Sequence, residues 1–91
     1  MQDVRDILPY GPWSSTCGHE ERDRQLRCMA AIAYMLLGPA HPLWRACRAG
    51  ETDATAFMEA QDLVEELPAL TRRRLLSTHM AVTWPRPRRA P

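Results

Sequence analysis

Few residues in this chain are suited to chemistry, and their spacing is poor for most of it. Cys17 and His19 stand one residue apart, Cys28 follows in the same region, and His41, Cys47 and His79 are the remaining soft donors. A structural zinc site takes four Cys or His ligands, usually in pairs close enough for adjacent turns to meet one ion. Neither Cys-x-x-Cys nor His-x-x-x-His spacing occurs. A small zinc-binding protein using Cys17, His19 and Cys28 is therefore only a second alternative. The expected role of Cys28 and Cys47 is that of small core residues, and no cofactor is implied.

Catalytic patterns fare no better. His19-Glu20 begins like a zincin helix, but the residue four positions after His19 is Asp23. There is no glycine-rich phosphate loop, no nucleophile elbow and no carboxylate pair at di-iron spacing with His. A Cys nucleophile needs an orienting base, and nothing in the spacing sets His41 or His79 beside Cys47. One small core with short connections leaves little room for a substrate cleft. The chain is expected not to be an enzyme.

Charge is the least random feature. Residues 51–66 carry six acids and no Arg, whereas residues 72–91 carry six Arg and no acid. One reading makes Arg72, Arg73, Arg74, Arg86, Arg88 and Arg89 a phosphate-binding surface, with the last two helices forming a helix-turn-helix. The other packs those helices side by side, so that the acidic and basic blocks cancel. The second is favoured, because six acids beside the recognition helix would repel a duplex. The turn also carries Pro68 where such motifs usually have Gly. A formal charge of +1 argues against general attraction to nucleic acid or an anionic membrane.

The elements that must position these groups are organised around Leu26–Leu37, an almost uninterrupted apolar run in which Arg27 is the one charge. It is shorter than the roughly 20 residues needed to cross a bilayer. Its Ala, Met and Leu content favours helix over strand. Leu26, Met29, Ala30, Ala33, Leu36 and Leu37 share one face, and Cys28, Ile32 and Met35 form a second stripe beside it. A helix this apolar is covered on more than one side, by other helices or by a second copy of the chain.

The central helix is expected over residues 17–37, capped by Thr16, supported by Glu20–Arg24 and Asp23–Arg27 pairs, and stopped by Gly38-Pro39. Pro42 opens a short second helix that Gly50 closes. Thr52 or Asp53 caps a third, reaching about Glu66, and Pro68 begins a fourth over about 68–82. The class is all-α: a small single-domain bundle of about four helices. Residues 1–16 read as an N-terminal arm with a helical turn over 2–8, residues 17–84 as the helical domain, and residues 85–91 as an Arg/Pro-rich disordered tail. Tyr10 and Trp13 are expected to fold back over the core.

Three cysteines cannot all pair within one chain, and no basic-then-apolar leader is evident, so a reduced, cytoplasmic protein is expected. Twelve basic residues that are all Arg, with no Lys or Asn, suggest a high-GC bacterium or its phage. The expected function is binding to another protein, as an adaptor, accessory subunit or inhibitor. The expected anchors are Trp13, Leu43, Trp44, Arg45 and Arg48, because exposed Trp beside Arg is the composition of an interface hot spot. A homodimer through the 26–37 helix is a further possibility, and a DNA-binding regulator using the fourth helix and Arg tail is the first alternative.

Overall fold

The computed structural model describes residues 10–14 and 17–83. Four α-helices follow a short 3-10 turn at Gly11–Trp13: α1 at His19–Leu37, α2 at Leu43–Ala49, α3 at Ala54–Glu65 and α4 at Ala69–Thr83. There is no strand among the described residues. The chain is a small all-α bundle, as its periodicity predicts.

Local chemistry sets the helix ends. α1 begins after Gly18, which offers no side-chain cap, with Glu20 and Glu21 in the first turn where the helix dipole favours acids. Thr16, the expected cap, lies outside the described residues. α1 ends at Gly38, whose φ of 90° is a conformation that side chains with a Cβ rarely adopt. Asp53 caps α3 by accepting from the backbone N–H groups of Thr55 at 2.9 Å and Ala56 at 3.3 Å. The expected i,i+4 pairs on α1 are replaced by Glu21–Arg24 at 2.6 Å and by Arg27–Glu51 at 3.4 Å, which ties α1 to the α2–α3 connection.

The core runs along α1. Leu26, Met29 and Ala33 are fully enclosed, joined by Ala30 and Ile32. Leu43, Ala46 and Cys47 cover α1 from α2, and Ala60 and Val64 add the inner face of α3. Burial pushes the Cys47 thiol up to about 12. The principal helix interfaces are α1–α2, α2–α3 and α1–α4.

That last interface corrects an expectation. α3 and α4 share no substantial interface, so the acidic and basic blocks do not cancel by lying side by side. Side by side, α3 and α4 would enclose Phe57, Val64, Leu67, Leu76 and Met80 in one shared core, yet Met80 is exposed and Phe57 and Leu76 are half-buried. The 3-10 turn packs chiefly against α1 and reaches α3 through Trp13. Trp13 is 8% exposed, donates its indole N–H to the Phe57 carbonyl at 2.9 Å and leans on the Phe57 ring at 6.0 Å. Tyr10 meets Trp13 edge-on at 5.6 Å, and its hydroxyl is pushed up to about 12 by burial and then by Glu65, against the opposing effect of Arg72. Residues 10–14 thus form a wedge seated on α1 that touches Phe57 of α3 and His79 of α4, with Tyr10 and Trp13 folded back over the core as expected.

Gly11 makes the wedge fit. Its φ is 54°, and a Cβ there would stand 3.0 Å from Cε1 of His79. His79 is 4% exposed, and its Nε2 faces the Gln25 carbonyl of α1 at 3.4 Å. Burial lowers the His79 pKa, with the Gln25 contact opposing it. The folded chain therefore binds fewer protons at this ring than the unfolded chain. The stability from the neutral imidazole is complete above the unfolded value of 6.5 and is lost progressively as pH falls below it. Melting temperature is expected to fall from neutral to mildly acidic pH, and less steeply in His79→Gln. Equal slopes for the two proteins would remove His79 from this linkage.

Candidate functional site

Between α1 and α2 lies an open cleft of about 400 Å³, lined by Arg27, Ala30, Ala31, Tyr34, Trp44 and Arg48. The small side chains of Ala30 and Ala31 form its floor. Trp44 is half-buried on the α2 side, held by its indole N–H donating to the Pro39 carbonyl at 2.9 Å and by an edge-on contact with Tyr34 at 5.3 Å. Arg45 places its guanidinium 5.7 Å from the Trp44 ring centroid, within cation–π range. Tyr34 remains 48% exposed and Met35 73% exposed. The bundle has closed its core without them; Tyr34 lines the cleft, and Met35 stands outside its lining.

The structure divides the five expected anchors. Trp44 and Arg48 line this cleft, whereas Arg45 rests against the Trp44 ring and lines a second cleft between α2 and α3. Leu43 does not: it is fully enclosed in the core, because neighbouring positions on a helix point about 100° apart. Trp13 is also a core residue, for the packing reasons given above. Neither presents a surface to a partner. Tyr34 and Arg27 belong to the site although neither was an expected anchor. Arg27 was the available signal: the one charge in the run marks the solvent face, and positions 31, 34 and 35 share it. The second stripe expected to carry a homodimer is mostly spent within the chain, since Ile32 is buried and Cys28 half-buried.

The other candidate groups are dispersed. No group of three or more His, Cys, Asp or Glu among the described residues is placed to hold a metal ion, so Cys17, His19 and Cys28 gain no further ligand. All three thiols have raised pKa values, in each case first through burial, which keeps them protonated and poorly nucleophilic. Arg72 donates to the Glu65 carbonyl at 2.8 Å, while Arg73 and Arg74 face solvent. Arg86, Arg88 and Arg89 lie outside the described residues, as do Trp84 and the helical turn expected over 2–8. A helix-turn-helix requires its two helices to pack against each other, and α3 and α4 do not. A second shallow cleft of about 390 Å³ lies between α2 and α3, floored by Ala46, Ala49 and Ala56.

The fold and this site define a class, a small helical bundle with an exposed aromatic cleft. No protein-family model, curated protein or solved structure matches the chain. No helix among the described residues is long and apolar enough to cross a membrane.

Proposed function

We propose that this chain is a protein-binding module without catalysis of its own, acting as an adaptor, an accessory subunit or an inhibitor, and that its partner docks at the Trp44–Tyr34 cleft. The observation that carries this reading is the cleft walled by Trp44 and the exposed Tyr34, beside a core that is complete without Tyr34. Large apolar side chains left exposed in one continuous patch mark interaction sites more often than scattered ones do. Aromatic residues with Arg at the edge are the types that dominate interface energies.

Absence of catalysis is supported by the chemistry at hand. The cleft holds no carboxylate, histidine or thiol among its lining residues, so the Tyr34 hydroxyl has no base beside it to activate it. It is also open, and an open cleft neither strips water from a reacting group nor holds it in place. A reduced intracellular setting fits three unpaired cysteines. Separating binding from folding in a Trp44→Ala variant tests the proposal.

A further inference from the structure

We infer that the segment received by the Trp44 cleft is acidic: a short stretch of partner chain presenting carboxylates beside one apolar anchor. This rests on the reading of the cleft as a docking surface and adds the partner's chemistry.

Donors predominate among the polar side chains of the cleft: Arg27 and Arg48 line it with the Tyr34 hydroxyl, and Arg45, which lines the second cleft, stands 5.7 Å from the Trp44 ring centroid. A guanidinium has five N–H donors and no acceptor. The indole N–H of Trp44 is already committed to Pro39, so the aromatic wall adds no polar demand of its own. Arg27 shares its charge with Glu51 at 3.4 Å, whereas Arg45 and Arg48 pair with no carboxylate among the described residues. An occupant must therefore bring acceptors, and carboxylates match the planar guanidinium fork with two parallel hydrogen bonds. The floor of Ala30 and Ala31 takes the apolar anchor against Trp44.

Charge also decides against the most obvious competitor, a second copy of this chain. An isologous dimer across this face would bring Arg27, Arg45 and Arg48 of both copies together. Like charges facing each other across an interface oppose association. A nucleic acid would satisfy the guanidinium groups, but Glu51 at the rim and a net charge of only +1 oppose a polyanion.

The experiment is selection of short random peptides on the intact protein, with Trp44→Ala and Ala31→Gln as counter-selecting variants. Ala31 is exposed, so Gln there fills the cleft without touching the core. Enriched peptides are expected to carry net negative charge beside a Leu, Phe or Trp. Either variant should weaken their binding about tenfold or more, and so should the double change of Arg45→Ala and Arg48→Ala or a rise to high salt. Neutral or basic peptides that still depend on Trp44 and Ala31 would overturn the acidic assignment and leave the docking cleft standing. Peptides indifferent to both variants, or no enrichment at all, would overturn the docking reading as well. Sedimentation that reveals a dimer broken by Ala31→Gln would assign the cleft to a second copy. An oligonucleotide that displaces the selected peptides would assign it to phosphate. Either result overturns the inference.

Discussion

Trp13→Ala is expected to lower stability by about 3–5 kcal/mol, the usual cost of removing a large buried aromatic. Three losses combine at this position. The cavity opens where the 3-10 turn meets α1 and α3, and the edge-on partner of Tyr10 disappears. The 2.9 Å hydrogen bond to the Phe57 carbonyl also goes. A chain of this size has a total stability of only about 5–10 kcal/mol, so the variant should be partly unfolded near physiological temperature. Trp13→Phe separates the contributions: it keeps a ring in the cavity and removes the donor, and should cost only about 1–1.5 kcal/mol from the hydrogen bond, with a further packing loss. Thermal melting followed by circular dichroism measures both. A Trp13→Ala protein that melts like the native chain would mean that Trp13 is not part of the core.

Ala33→Asp is expected to do at least as much damage. Ala33 is fully enclosed on α1, facing the helices that cover it. A carboxylate there needs space in a close-packed interior and finds no cation or donor built to receive it. Either the ionised group is buried unpaired, or it is protonated at a cost set by the gap between its shifted pKa and ambient pH. Both routes cost several kcal/mol, comparable to the whole stability of the fold. Ile32→Asp, on the adjacent buried position, should behave alike. Loss of the cooperative melting transition in both variants is the expected result, and near-native melting of either would remove α1 from the centre of the bundle.

The helices were legible because each carries its own signals. Gly38-Pro39, Pro42 with Gly50, Asp53 and Pro68 mark ends through backbone geometry and capping, which are local and do not depend on the rest of the fold. The docking of α4 was not legible. Its charge block pointed to α3, but long side chains at a surface contribute little to packing, and the buried Leu75 and His79 decide its position against α1. The part of Trp13 was half legible: an aromatic beside two prolines suggests core cover, yet nothing local says between which helices. At the site, composition pointed to Trp44, Arg45 and Arg48, and adjacency wrongly added Leu43. Tyr34 escaped, and Met35 was assigned to a covered stripe, because an apolar run looks uniform until the burying neighbours choose its faces.

The two tryptophans most nearly alike in sequence context thus have opposite roles, and Trp44→Ala tests that division most directly. Trp44 is half-buried, so its loss should cost only about 1–2 kcal/mol, from one hydrogen bond and one aromatic contact. Truncating an interface anchor costs about 2 kcal/mol or more of binding, which is thirtyfold or so in affinity. The measurement is paired: melting by circular dichroism, and recovery of partner by the native and variant proteins under identical conditions. The account predicts a folded, cooperatively melting variant that has lost its partner. A variant that collapses would make Trp44 a core residue, and one that folds and still binds its partner at native strength would place the docking surface elsewhere.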